Sequence, residues 1–198
     1  MSATSLSSWL SEIFNKRMAK GEFPNLLKLL KWHPFLKIIF LSLNDYRPIS
    51  THITLSKVFE KLIYSRLYSF VSSNCILSPQ QHGFRTNHST ELAIAAIYDD
   101  MICNKDNKLI TCTLFLHLSK AFDCVDHNIL LEKLFCYGVR GTPLRLFAFY
   151  LNNRFQCTKI ADTISSFLKV TCGVSKDLLL GIYYSLFRDR KGLGLFQP

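Results

Sequence analysis

Seven cysteines are scattered through this chain without one C-x-x-C pair. An odd number at such spacings argues against both a disulfide framework and a zinc site, and a reducing compartment is the expected setting. Long apolar runs are missing as well. The most apolar stretch, residues 35–43, is interrupted by Lys37 and is too short to span a bilayer. Residues 1–10 hold no basic start leading into a long apolar segment, so no secretory signal is expected. The expected location is therefore intracellular, cytoplasmic or nuclear, with no membrane partner and no secretion. No internal repeat or low-complexity tract occurs, which removes solenoids and biased linkers from consideration. Acidic residues are scarce: 14 Asp and Glu stand against 24 Lys and Arg, for a formal net charge of +10. The isoelectric point is near 9.3. Such an excess favours a polyanionic partner, although an ordinary basic surface would give the same number.

What is present is enough for one globular domain. The chain has 198 residues, 48% hydrophobic and 19% charged, and can bury a sizeable core. Helical spacing of Leu6, Trp9, Leu10, Ile13, Phe14 and Met18 predicts a helix over residues 3–20, closed by Gly21. Residues 56–71 carry a stripe of Val58, Phe59, Leu62, Ile63, Leu67, Phe70 and Val71, with Glu60 and Lys61 assigned to a solvated face. Ser89 or Asn87 should cap a third helix, on which Leu92, Ile94, Ala95, Ile97 and Met101 are apolar and Asp99-Asp100 is a surface pair. Residues 108–116 read as a strand. Asp126 is a good N-cap for a helix that Gly138 should stop in the left-handed region. Thr142-Pro143 reads as a cap and first turn of another helix. Residues 154–160 and 165–172 read as a strand pair.

The chain is organised around residues 114–141, which include Phe115-Leu116-His117-Leu118-Ser119-Lys120-Ala121-Phe122-Asp123-Cys124-Val125-Asp126-His127. This stretch resembles the first palm motif of reverse transcriptases from non-LTR, LINE-like (jockey-type) retrotransposons, which usually read Phe-Leu-Asp-Leu-Ser-Lys-Ala-Phe-Asp-x-Val-Asp-His. The resemblance extends upstream through Asp45-Tyr46-Arg47-Pro48-Ile49, Leu55-Ser56-Lys57-Val58-Phe59-Glu60-Lys61 and Gln81-His82-Gly83-Phe84-Arg85. It continues through Asn87-His88-Ser89-Thr90-Glu91 and reaches Thr171-Cys172-Gly173-Val174.

The resemblance implies an α+β fold, the fingers and first half of a palm, with helices packed on a small antiparallel sheet. Residues 1–110 would be fingers-like and 111–198 an incomplete palm. It implies that Arg47 reaches the triphosphate of an incoming nucleotide, a task suited to the planar guanidinium fork. Leu118 would offer its carbonyl to a metal, and Phe122 would close under the sugar. Phe84 and Arg85 would contact the template strand. Family members use two metal ions held by carboxylates, and the first Asp bridges both. Here that Asp falls on His117. A neutral imidazole offers one lone pair and no charge, whereas magnesium prefers oxygen. No intact catalytic residue, metal site or cofactor is therefore expected in this chain, though the intact family uses Mg2+.

Two further departures accompany His117. The family's Gly-Val-Pro-Gln-Gly core is replaced by Gly173-Val174-Ser175-Lys176-Asp177, and no Asp-Asp pair follows it. Residues 32–43 replace a Val-x-Pro-Ile-x-Lys strand and polar turn, and read as decay. The ancestral activity is RNA-templated DNA synthesis; inactivity is expected here. Two alternatives are a non-catalytic, basic binder of RNA or DNA with weak and non-specific affinity, and a degenerate product with no selected role. Self-association is expected through an open sheet edge at residues 114–116.

Overall fold

The computed structural model describes residues 3–36, 46–51, 53–83, 85–115, 123–160 and 162–174. Helix α1 (Ala3–Lys20) ends where the spacing predicts. Gly21 takes φ 65°, and Glu22 N–H donates to the Arg17 carbonyl at 3.0 Å, closing the last turn. Only glycine fits there for a second reason: an added Cβ would lie 2.8 Å from the Thr142 carbonyl oxygen. Helix α2 (Thr54–Ser73) buries Phe59, Ile63, Leu67 and Val71. Helix α4 (His127–Cys136) and helix α5 (Thr142–Leu151) complete the packed set. Phe59 lies at its centre, with its ring 4.6 Å from Phe14 and 5.2 Å from Phe23. Phe23 in turn meets the edge of Tyr150 at 4.9 Å, so the α1 end, α2 and α5 share one aromatic core.

A 3-10 turn (Asn25–Lys28) leads into β1 (Leu29–Leu36), which pairs antiparallel with β2 (Tyr46–Thr51). The segment expected to have decayed thus keeps a strand. Pro34 faces Pro48, which costs little because the second neighbour of β1 pairs only as far as Trp32. That neighbour is β3 (Arg154–Ile160), lying parallel to β1 with Leu29 opposite Phe155. The other edge of β3 pairs antiparallel with β4 (Thr163–Ile164) and β5 (Leu168–Val170). Between these two short strands Ser165 stands in for the ladder, its hydroxyl accepting from Thr158 N–H at 2.9 Å. The fold is α+β, and its sheet is antiparallel in every pairing except β1 with β3.

Helix α3 (Thr90–Asp106) is capped by Ser89, whose hydroxyl accepts from Leu92 N–H at 3.3 Å. Asp99 and Asp100 are exposed on it, as expected. It buries no residue. Helix α4 has the expected cap, Asp126, and the turn after it uses Gly138 at φ 96°.

Three expectations are corrected. Residues 109–115 form no strand, and Leu114 and Phe115 are 74% and 79% exposed. A strand needs a ladder for its N–H and C=O groups, and no described segment pairs with this one. The open sheet edge expected there is accordingly absent among the described residues. Thr142 is not a cap: Gly141 holds that position at φ 64°, with Thr142 as the first helical residue. Most notably, Glu60 is not solvated but 2% exposed. Its carboxylate lies 4.0 Å from the Arg154 guanidinium, and the Ser56 hydroxyl is shared between it (3.2 Å) and the Leu27 carbonyl (3.0 Å). Arg154 also stacks 4.4 Å over the Tyr150 ring. A buried Lys28 completes this polar knot, donating to the Asn152 carbonyl at 3.1 Å. Burial, reinforced by the Arg154 charge, lowers the Lys28 pKa below the ordinary ammonium value.

Candidate nucleic-acid interface

The loop that follows α2 carries the expected template-contacting residues. It is tied back to the helix by side chains rather than by strands. Tyr68, on the last turns of α2, accepts from Thr86 N–H at 3.2 Å. Hydrogen bonding to Thr86, through its side chain first and its N–H second, lowers the Tyr68 pKa with help from the Arg85 charge, against the opposing effect of burial. Tyr64 stacks on Tyr68 at 5.7 Å, and burial pushes its own pKa up. Arg85 is half-buried and donates through Nη1 to the Ser78 carbonyl at 2.9 Å. One of its five N–H donors is thereby committed to holding the loop. The rings of His82 and His88 lie 5.4 Å apart beside it, and the loop ends at the Ser89 cap of α3.

A second junction lies at the start of α4. Asp126 Oδ1 accepts from Asn128 N–H at 2.7 Å and from Ile129 N–H at 3.1 Å. His127 is buried, and its Nε2 lies 2.8 Å from the Gly173 carbonyl. Gly173 N–H donates to the Val125 carbonyl at 2.9 Å, and Asp126 bridges antiparallel to Cys172. Two motifs far apart in sequence, Asp123-Cys124-Val125-Asp126-His127 and Thr171-Cys172-Gly173-Val174, are thus joined by three backbone-directed contacts. Sequence reasoning gave His127 no role. The available signal was its place directly after a cap, where an imidazole can turn inward from the first helical turn.

Of the residues expected to act, Arg47 lies in β2, paired with Phe35 of β1. Arg85 lies in the loop after α2. Phe84, His117, Leu118 and Phe122 fall outside the described residues. The structure therefore brings together the two motif ends through His127, but does not assemble a catalytic constellation from described side chains. The donor chemistry around position 117 also fits a pair of magnesium ions poorly. His117 supplies nitrogen in place of a bridging carboxylate. Asp126 Oδ1 already accepts from two N–H groups of α4, and Asp123 is exposed in the turn. No step through a metal is derived for this chain. Among the described residues no helix is long and apolar enough to cross a membrane.

Residues 37–175 match the family described as reverse transcriptase (RNA-dependent DNA polymerase). The chain belongs to the reverse transcriptase family. It is 32% identical over 144 residues to the probable RNA-directed DNA polymerase from transposon X-element of Drosophila melanogaster, covering 72% of this chain and 16% of that protein. It is 28% identical over 186 residues to the RNA-directed DNA polymerase from mobile element jockey of the same fly, covering 90% of this chain and 20% of that one. The similarity to these elements makes it a reverse transcriptase domain of the non-LTR type. This reverse transcriptase chain spans about a fifth or less of the length of those relatives. The matched region contains both the Tyr68–Thr86 loop anchor and the His127–Gly173 junction.

Proposed function

We propose that the chain is the fingers and first half of the palm of a retroelement RNA-directed DNA polymerase, and that it does not itself catalyse DNA synthesis. Residues 1–110 correspond to the fingers and 111–198 to the palm portion. The ancestral reaction adds deoxynucleotides to a primer 3′ end on an RNA template. The observation that carries the inactive reading is His117, which stands where two-metal catalysis needs a bridging carboxylate. The altered Ser175-Lys176-Asp177 core supports it.

Nucleic-acid binding is the second part of this reading, supported by the net charge of +10. Contacts of scattered Lys and Arg go to phosphate rather than to base edges, so the binding is weak and tolerant of sequence. Self-association belongs to the same proposal. Its support is now the exposed apolar segment at Leu114 and Phe115 rather than a sheet edge, and light scattering over a concentration series measures it.

The test is primer extension by the purified protein on primed RNA with deoxynucleotides and magnesium or manganese. No product is expected, and His117→Asp alone should not create activity. Extension that disappears on Arg47→Ala would overturn the inactive reading.

A further inference from the structure

The packed half of the molecule carries a groove that none of the sequence motifs points to. It has a volume of about 470 Å³ and lies between the end of α1, the middle of α2 and the turn into α5. Its floor is apolar, formed by Met18, Ile63, Leu67 and Phe147, and the half-exposed ring of Phe70 forms one wall. Its size is that of a small-molecule site rather than of a packing defect.

Its charges are all of one sign. Among the described residues Arg66 and Arg140 line it, and no carboxylate does. Asn15 holds Arg66 in place, its Oδ1 accepting from Nη2 at 3.1 Å. Arg140 is held differently, with its guanidinium 4.8 Å above the Phe135 ring. Arg145 adds a third guanidinium nearby, donating to the Lys20 carbonyl at the end of α1.

We infer that this groove holds single-stranded nucleic acid, with one base against Phe70 and the flanking phosphates on Arg66 and Arg140. An apolar floor alone would suit many occupants. Two guanidiniums with no opposing carboxylate among the described residues select an anion, and an aromatic wall beside an arginine held over a ring selects an anion that carries flat rings. Single strands recognised by stacking on aromatic and guanidinium planes have that chemistry. An acidic amphipathic helix satisfies the charge but leaves the flat surfaces unused. The inference rests on the nucleic-acid reading above and deepens it. Arg85, the described one of the expected template-contacting residues, does not line the groove.

The experiment is fluorescence anisotropy of a labelled oligouridylate over a salt series, on the wild-type chain, Arg66→Ala/Arg140→Ala and Phe70→Leu. Lys57→Ala/Lys105→Ala, which removes two exposed charges elsewhere on α2 and α3, is the control. Loss of two phosphate contacts should flatten the log–log salt slope by roughly 1.4, at about 0.7 per phosphate. Phe70→Leu should weaken binding by roughly tenfold with the slope unchanged, as expected for a lost stack. Thermal melts check that each variant is folded. Photocrosslinking of the wild-type chain with a thiouridine-containing strand, which needs no variant, should label the peptides carrying Phe70 or Pro143.

If the wild-type chain binds but the groove double variant loses no more than the control, and crosslinks fall elsewhere, the groove assignment is overturned while the basic-surface reading stands. If the wild-type chain fails to bind even at low salt, both fall. Displacement of the oligonucleotide by an acidic helical peptide at equal charge concentration would overturn the choice of nucleic acid as occupant.

Discussion

Helices α2 and α3 are close in length and differ in almost everything that matters to the fold. Helix α3 has the better local signals, with a capping serine and an acidic residue in its first turn. Helix α2 starts at Ile53 with no side-chain cap and has no acidic first turn. Yet α2 buries Ser56, Phe59, Glu60, Ile63, Leu67 and Val71, whereas α3 buries nothing. Leu92, Ile94, Tyr98, Met101 and Ile102 all stand substantially exposed on α3. Capping secures the end of a helix by about 1 kcal/mol, while a fully buried large apolar side chain contributes about 1.5–3 kcal/mol. Packing decides which helix belongs to the core, and caps only trim where each begins.

The largest break in that contrast should come from Glu60→Ala. It leaves Arg154 buried without its carboxylate, which costs about 3–5 kcal/mol. Leu92→Ala on α3 should move stability by about 0.5 kcal/mol or less, as exposed substitutions do. Denaturant unfolding of both variants measures the difference, and equal losses would show that α3 is packed in solution.

His127→Ala comes next. It removes the contact to the part-buried Gly173 carbonyl, for a loss of about 1 kcal/mol. The loss should appear locally as faster amide exchange at Gly173, whose N–H is otherwise held by Val125.

Lys28 sharpens the comparison through pH. Because burial lowers its pKa, the native state holds this proton less tightly than the unfolded chain does. Between the lowered value and the ordinary one the unfolded state binds more protons, so stability rises with pH across that window. Below it the penalty is fully present. Lys28→Met should flatten the alkaline rise, and melting temperatures taken from neutral pH up to the ordinary lysine range would show it. A rise of the same size in the variant would assign the effect to another group.

The smallest effect belongs to α3 itself. Ser89→Ala should cost about 1 kcal/mol of helix stability. With no residue of α3 buried, that loss should fray its first turn rather than unfold the molecule. Exchange protection at Leu92 and Ala93 is the readout, and a drop in the global melting temperature would contradict the separation drawn here.

Much of this was legible in the sequence because it is local. The end of α1 at Gly21, the Asp126 cap, the left-handed Gly138 and the extent of β3 all follow from residues within a few positions of each other. Glu60 was not legible. It lies in register with Ser56 and Ile63 on the buried face, but a charge beside apolar residues reads as the edge of a solvated face. Only Arg154, brought in by β3, reveals otherwise. The strand expected at residues 108–116 failed in the opposite way, since strand-forming residues without a partner have nothing to pair with. For the candidate site, the loop carrying Arg85 was located correctly, while its anchor at Tyr68 and the role of His127 depend on tertiary contacts that no spacing encodes. The groove at Arg66 and Arg140 draws on α1, α2 and the turn before α5, and no motif announces it.

The parallel pairing of β1 with β3 sets a timetable for the chain as it is made. β1 can join β2 soon after both emerge from the ribosome, but Leu29 must wait for Phe155, roughly 125 residues later. At about 5–20 residues per second that wait is on the order of ten seconds. Throughout it the edge of β1 that β3 will take stays unpaired, and the carboxylate of Glu60 waits for Arg154. Newborn chains are therefore most vulnerable to neighbours on the same message in that interval, and a holding chaperone would be of most use then.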